Sequence, residues 1–246
     1  MSFPRSSPFR FAAALLLLAL TAQLALPQGA ARPSTAGGRT DFKALEEKVL
    51  EEINLARTAP VQYAEHLERL RPHYSGKEFR QPGRPTLITE EGVAALDEAV
   101  KFLRAAKPLP PLQPSRGLSS GALLLVSEQS TSGTTGHRGA DGGFMEQRVA
   151  RYGSWKGPVG ENLSYGEETA RERVISMLID DGVSNRGHRN RIFNPSYTVA
   201  GIACGAHQLG GVCAVTLAAG FTDGSGAGGP QPSGKNVALP SGARKF

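Results

Sequence analysis

The sequence lacks clusters of basic residues, which argues against a nucleic-acid-binding protein. Lys and Arg number 28 against 22 Asp and Glu in 246 residues, giving a formal net charge of +6. This surplus is dispersed: no run of five or more Lys or Arg occurs, and no basic stripe is interleaved with aromatic residues. Because nucleic-acid binding depends on clustered positive charge, we expect no nucleic-acid partner.

Long apolar runs are also scarce, and the single one lies near the amino terminus. It covers residues 11–26 (FAAALLLLALTAQLAL), follows Arg5 and Arg10, and precedes small residues at 28–31. A positive start, an apolar block and a small-residue end are typical of a secretory signal peptide. The block is shorter than the roughly 20 residues of a spanning helix. We interpret residues 1–31 as a signal peptide, with an uncleaved anchor as the alternative.

The rest of the chain predicts one domain with short flanking segments. We expect a leader over residues 32–40, a single domain over 41–222, and a flexible tail rich in Gly, Pro and Ser over 223–246. About 215 residues follow the signal peptide, enough for one domain with a substantial core. This organisation predicts a secreted, extracellular or periplasmic protein. We expect it to be a monomer with no membrane span after cleavage.

Cysteine is nearly absent, and the two that occur are close together. Cys204 and Cys213 lie in residues 198–221 (TVAGIACGAHQLGGVCAVTLAAGF), where two runs of small apolar residues flank a polar turn. In an antiparallel hairpin, a register that pairs these cysteines also pairs Ile202 with Val215, on the same face. In an oxidising compartment this predicts a cross-strand disulfide. The alternative is two buried thiols.

Apolar residues recur at three- and four-residue steps in several segments, which predicts helices. Two of these helices begin at Asp41 and at Pro60. The other four cover residues 90–107, 115–133, 144–153 and 167–182. Residues 75–92 contain Pro82 and Pro85 and are expected to be irregular. One extended segment at 160–166 and the final hairpin supply the strands. Helices followed by a strand and a late hairpin favour an α+β fold.

Four polar residues, two histidines and two acids, stand out beside glycines or at the ends of predicted elements. His137 in GTTGHRGADGG and His188 in NRGHRNRIFNP each follow a glycine in a predicted loop. Glu161 follows a glycine at the start of the extended segment, and Asp180 ends the helix between Glu161 and His188. The two imidazoles and two carboxylates could converge on one cleft. Alternatively, each is only a turn or capping residue.

Several motifs, in order, resemble the CAP superfamily, which includes cysteine-rich secretory proteins, insect venom antigen 5 and plant pathogenesis-related proteins. They are GTTGHRGADG, GENLSYG and GHRNRIFNPSYTVAGIACG, preceded by INLARTAPVQYAEHL and an LPPL connector that are similar to bacterial members. The resemblance covers roughly residues 41–222. It implies an exported protein with a three-layer α-β-α sandwich and a small, mainly antiparallel sheet.

The resemblance also implies a central cavity lined by two histidines and two acids. Carried over by motif, these are His137, His188, Glu161 and Asp180. The family's second acid usually lies three residues after a tryptophan, and this chain has Met177 and Asp180 at those places. Because Asp is one methylene shorter than Glu, we expect its contact to be loosened or mediated by water.

Imidazoles beside carboxylates suit Zn²⁺ or a similar divalent cation. We therefore expect a cation in the cavity and a groove for an extracellular ligand, whether lipid, peptide or glycan. One alternative is a hydrolase, either metal-assisted with Glu161 or Asp180 as general base, or of the Ser-His-Glu type through Ser127, Ser130 or Ser164. No GxSxG nucleophile motif is present. The other alternative is a non-catalytic scaffold or adhesion module, in which the polar cluster only stabilises the fold.

Overall fold

A computed structural model describes residues 41–167 and 169–225. The predicted signal peptide and leader, and the predicted tail beyond residue 225, lie outside the described residues. The helices are α1 (Phe42–Thr58), α2 (Pro60–Glu68), α3 (Val93–Ala105), α4 (Arg116–Ser132), α5 (Met145–Val149), α6 (Ala170–Ile179) and α7 (Gly187–Ile192). The strands are β1 (Tyr74–Ser75), β2 (Glu78–Phe79), β3 (Leu87–Ile88), β4 (Gln113–Pro114), β5 (Gly153–Tyr165), β6 (Val199–Gly205) and β7 (Val212–Asp223). Among these described helices, none combines the length and the apolar character needed to cross a bilayer.

A four-stranded sheet, in the order β4-β6-β7-β5, forms the centre of the fold. Strands β5, β6 and β7 are antiparallel, whereas the short β4 runs parallel to β6. In the β6–β7 hairpin Cys204 pairs with Cys213 and Ile202 with Val215, as predicted. The two cysteines form a disulfide, which confirms the cross-strand bond. Strand β5 begins at Gly153, earlier than the expected segment 160–166.

Helices cover both faces of this sheet, which makes the three-layer α-β-α sandwich that the family resemblance implies. Helices α1, α2, α3 and α6 share one apolar core with the sheet face that includes Ile202 and Val215. Residues of α4 pack with Ala203 and Ala214, which alternation places on the opposite face. The small apolar residues of the hairpin are therefore buried on both sides, because each face carries a helical layer.

Helix α4 is fixed at both ends by the signals that its sequence predicts. The Ser115 hydroxyl caps its first turn by accepting from the Leu118 amide at 3.2 Å. Asp223, at the end of β7, accepts from the Ser115 hydroxyl at 2.7 Å and from the Gly117 amide at 2.9 Å. Gly133 ends the helix in the left-handed conformation. The last residue of the sheet thus holds the start of α4.

The expectation that residues 75–92 are irregular is wrong, because a small antiparallel sheet of β1, β2 and β3 forms there. We call it the mini-sheet. Each of its strands is only two residues long, so period-2 alternation is too short to detect. The rings of Tyr74 and Phe79 pack with centroids 4.7 Å apart. Pro82 and Pro85 lie in the loop between β2 and β3, where no ladder hydrogen bond is required of them.

Candidate functional site

A cavity of about 350 Å³ lies beside the mini-sheet, and both predicted histidines, His137 and His188, line it. Its walls are mainly apolar, although several carboxylates and hydroxyls also reach it. The apolar part is formed by Leu70, Tyr74, Phe79, Leu87, Ile175 and Ile179. A cavity with apolar walls and a few polar side chains is the usual form of a small-molecule site.

His137 is positioned by a buried ion pair below it. It lies in the loop after α4, and its Nδ1 is 3.0 Å from Oε1 of Glu161, which is 4% exposed on β5. Nη2 of Arg148, a buried residue of α5, donates to both oxygens of Glu161 at 2.9 and 2.7 Å. The same guanidinium donates through Nη1 to the backbone carbonyl of His137 at 3.1 Å. Arg148 therefore fixes both the loop that carries His137 and the Glu161 carboxylate that orients the His137 ring.

His188 is positioned by Asp180 in a parallel arrangement. Oδ1 of Asp180 is 2.6 Å from Nδ1 of His188, and Oδ2 accepts from the His188 amide at 2.8 Å. The expectation that the shorter acid would loosen this contact is wrong, since the contact is direct. The expectation that His188 lies in a loop is also wrong, because Gly187 begins the six-residue helix α7. That helical turn directs the amide and the ring of His188 towards the same carboxylate.

Asp180 reaches His188 because its backbone is left-handed. It ends α6 with φ 55° and ψ 44°, a conformation that Asp adopts more readily than most residues. Nη1 of Arg186 donates to the Asp180 carbonyl at 2.8 Å, which holds this turn. Arg186 is itself fixed by ion pairs to Glu91 and Glu98, both at 2.6 Å. The next residue, Asp181, accepts from the amides of residues 90 and 91 at 2.6 and 2.8 Å.

Asn162 connects the two halves of the site. Its Nδ2 donates to the backbone carbonyl of His188 at 3.0 Å, which ties α7 to β5. Met177, at the place where the family usually has tryptophan, is buried, lines the cavity and lies 3.9 Å from the same nitrogen. Asn162 therefore braces the site. Sequence reasoning missed Arg148 and Arg186, since each contacts residues that only the fold brings near.

The two rings share a protonation pattern. A carboxylate only accepts hydrogen bonds, so each Nδ1 carries the proton and each neutral ring keeps a lone pair on Nε2. No described protein group hydrogen-bonds to Nε2 of His137 or His188. A carboxylate behind a histidine is the usual outer partner of a metal-binding imidazole, because it fixes the ring and raises its basicity.

Among the described residues, the site offers a cation at most two imidazoles, and it does not fit a site with three or more protein ligands. Glu161 and Asp180 are already occupied by Arg148, by backbone amides and by the Nδ1 atoms. Within the described residues, no group of three or more His, Cys, Asp or Glu side chains could hold a metal ion. A structural or catalytic zinc centre normally uses at least three protein ligands. Any cation bound here would be exchangeable and would retain water or a ligand.

The serine-nucleophile alternative gains no support from the site. Ser164 lines the cavity, but its hydroxyl accepts from Nη1 of Arg173 at 3.0 Å. Ser127 and Ser130 lie on α4 and are not among the described residues that line the cavity. A triad needs a hydrogen bond between the nucleophile and its histidine. Among the described residues, neither His137 nor His188 makes one with a serine.

Burial and charge act together on Tyr74 at the cavity wall. Burial raises the pKa of Tyr74 to about 12, and the negative charge of Asp181 adds to the effect. None of the described residues that line the cavity is Lys or Arg. The polar end of the cavity is therefore electronegative.

Comparison with known proteins places this arrangement in a family. No curated protein matches the chain. An extracellular protein containing an SCP domain, from Bacillus anthracis, is 17% identical over 45% of this chain and 34% of its own, with a TM-score of 0.37. A cysteine-rich secretory protein from Staphylococcus aureus is 14% identical over 52% of this chain and 38% of its own, with a TM-score of 0.34. The match thus spans little more than a third of each of those two chains.

A family model matches the larger part of the domain, including the site residues. Residues 97–217 match the cysteine-rich secretory protein family, CAP. This stretch begins in α3, ends in β7, and includes His137, Glu161, Asp180 and His188. Together with the three-layer sandwich, this match places residues 97–217, and with them all four predicted site residues, in the CAP superfamily.

Proposed function

We propose that this chain is an exported CAP-domain protein whose cavity binds a divalent cation through His137 and His188 and holds an extracellular ligand beside it. The observation that carries the proposal is that two imidazoles from separate segments line one cavity, each held at Nδ1 by a buried carboxylate. That arrangement leaves Nε2 of both rings as acceptors for a cation. When bound, the cation would supply positive charge and open coordination positions.

Export is proposed from two features of the chain. Residues 1–31 have the sequence pattern of a signal peptide. The disulfide between Cys204 and Cys213 is the kind of bond that persists in oxidising compartments outside the cytosol. Both features favour a secreted or periplasmic location.

The metal-assisted hydrolase is less well supported than a binding function. A general base needs a carboxylate that is open to a substrate or to a water molecule. Both oxygens of Glu161 accept from Arg148, and Glu161 is 4% exposed. Asp180 is similarly engaged by His188 and the amides that begin α7. Both acids are better placed to orient the imidazoles than to remove a proton.

Calorimetric titration with Zn²⁺ tests the proposal. We expect one exchangeable site in the mature protein, and at least about a tenfold loss of affinity in His137→Ala and in His188→Ala. His66→Ala provides the matched control, because His66 lies on α2 and does not line the cavity. Metal analysis of the purified protein, with a thermal melt before and after chelation, provides an independent measurement.

The outcome separates cation binding from a purely structural cluster. If neither His137→Ala nor His188→Ala changes Zn²⁺ uptake, the proposed site is wrong. If no Zn²⁺ binds, and Glu161→Gln lowers the melting temperature, the polar cluster acts as a scaffold instead. An unbiased hydrolase screen with and without chelator would detect an enzyme, and activity that persists in Glu161→Gln would exclude Glu161 as its base.

A further inference from the structure

We propose that the cavity binds a small organic cation, with a primary ammonium group at the histidine end and an unbranched apolar chain against the mini-sheet and α6. This inference rests on the proposed function in one respect, since it uses the same cavity as the ligand site. It adds the class of ligand, an alkylamine of moderate chain length. It needs no bound metal ion.

The charge of the cavity selects the head group. Four carboxylates line it, those of Glu167, Glu172, Asp180 and Asp181. Glu167 pairs with Arg173, and Glu172 pairs with Arg84. In the described part of the chain, the side chains of Asp180 and Asp181 contact backbone amides and His188 but no Lys or Arg side chain. The cavity therefore has surplus negative charge, which attracts a cation and repels a carboxylate.

The hydrogen-bonding groups favour the same head. In the neutral form of His137 and of His188, Nε2 is an acceptor, because the proton of each ring is on the Nδ1 that donates to its carboxylate. An ammonium group has three donors and no acceptor, so it matches two imidazole lone pairs and a carboxylate. Tyr74 and Tyr165 also line the cavity, and aromatic rings attract cations. A carboxylate head would instead be repelled by the carboxylates that line the cavity.

The apolar walls select the body of the ligand. Leu87 of β3 and Ile175 and Ile179 of α6 face the cavity with Leu70 and Phe79. A cavity of about 350 Å³ falls in the size range of small-molecule sites, which suits an alkyl chain of moderate length. Since each buried methylene strengthens binding about fourfold, an alkyl chain of moderate length provides most of the affinity.

A series of probes with one tail and three heads tests the head group on the chelator-treated protein. Octylamine, octanol and octanoate share an eight-carbon tail and carry a positive, zero and negative charge. By calorimetry we expect octylamine to bind at least about tenfold more tightly than octanol, and octanoate to bind more weakly still. Butylamine should bind at least about tenfold more weakly than octylamine, because its shorter tail buries fewer methylenes.

Two matched pairs of variants place the ligand in the cavity. Asp181→Asn should weaken octylamine about tenfold while leaving octanol unchanged, whereas Glu65→Gln, at an exposed position of α2, should change neither. Leu87→Gln should weaken both probes about tenfold, because Leu87 lines the apolar wall. Ile88→Gln should change neither, because Ile88 is 64% exposed and does not line the cavity. If a variant fails to fold, the three-head series on the natural chain still decides.

The octylamine results support or overturn this inference independently of the Zn²⁺ titration. Octanoate binding as tightly as octylamine, or equal effects of Leu87→Gln and Ile88→Gln, would overturn the inference. Zn²⁺ binding that depends on His137 and His188, without any octylamine binding, would overturn the inference and leave the proposed function standing. Octylamine binding with the expected pattern, without Zn²⁺ binding, would support the inference and refute the cation site.

Discussion

At the residue scale, Arg57 stands out because it is buried and because its guanidinium, within the described part of the chain, hydrogen-bonds to backbone carbonyls alone. It lies on α1 and is 1% exposed. Nη2 donates to the Tyr197 carbonyl at 3.1 Å and Nε to that of Pro110 at 3.1 Å. Nη1 donates at 2.5 Å to the carbonyl of Ile192, the last residue of α7. One guanidinium thus ties α1 to the end of the helix that carries His188.

We predict that Arg57→Leu lowers the free energy of unfolding by about 3 kcal/mol or more, because several buried carbonyls lose their donors. Urea denaturation measures the loss. Arg104→Leu is the control, since the Arg104 side chain is 58% exposed in an ion pair with Glu68, and pairs of this kind contribute below about 1 kcal/mol. Equal losses in the two variants would contradict the role given to Arg57.

Glu46 provides a prediction on pH. Burial raises its pKa to about 7, partly opposed by a hydrogen bond from the Cys204 amide at 2.8 Å. Between its ordinary pKa near 4.5 and about 7, the folded state therefore binds more protons than the unfolded state. Stability contributed by the protonated carboxyl is complete below that window and declines as the pH rises through it.

We therefore predict that Glu46→Gln, which keeps an acceptor for Cys204, stabilises the protein by about 1–2 kcal/mol at pH 8, a figure reduced for partial solvent access. At pH 4 the variant and the natural chain should be equally stable. Denaturation curves at several pH values measure the difference. Glu47→Gln removes a charge from the exposed neighbouring position and should not reproduce the effect. A gain that is the same at every pH would contradict the argument.

At the element scale, α4 rests directly on β6, and a glycine makes this approach possible. A Cβ at Gly201 would overlap the backbone of Ser119 and Leu118 on α4. At Gly220 of β7, a Cβ would meet nothing within 4 Å. The two glycines therefore give a matched pair for the contact between helix and sheet.

We predict that Gly201→Ala destabilises the protein by about 2–3 kcal/mol, because backbone atoms of α4 cannot move aside without displacing the helix. Gly220→Ala should change stability by less than about 0.5 kcal/mol. Thermal or urea denaturation of both variants measures the contrast. Equal stabilities for the two variants would show that α4 does not press on β6 as described.

Sequence patterns predicted elements that depend on local spacing. The 3.6-residue period of α1 and α3, and the parity that pairs Cys204 with Cys213, are properties of neighbouring residues, and the structure confirms them. Helix α7 has only six residues and the mini-sheet strands have two, so neither is long enough to repeat its period. Arg148 and Arg186 could not be identified because their contacts depend on the tertiary fold. Sequence therefore located the histidines and acids but not the groups that hold them.

At the scale of the whole molecule, stability should be unevenly distributed. Strands β6 and β7 are buried under helices on both faces. The mini-sheet instead depends on two-residue strands and on isolated bonds such as that from the Thr89 amide to the Lys77 carbonyl at 2.8 Å. Local openings require least free energy where few buried contacts are broken.

We predict that amides directly beside the mini-sheet strands, for example Arg80 and Thr89, exchange with solvent at least about 100-fold faster than those in the centre of β7. Hydrogen exchange followed by NMR or mass spectrometry measures the ratio. The comparison also tests the cavity, because the mini-sheet forms one of its walls. Uniform protection across both regions would show that the molecule opens only as a single cooperative unit.

The left-handed turn at Asp180 also limits how this site can evolve. Of the residues with side chains, Asp and Asn adopt that backbone most readily, and a single nucleotide change converts one codon into the other. Asn would preserve the turn and still accept from the His188 amide, yet it would bring no negative charge to the ring. A lineage could thus remove one of the two surplus negative charges of its pocket in a single mutational step while keeping the sandwich intact. Comparing close relatives that have Asp or Asn at this single position would show what the charge of residue 180 contributes to ligand binding.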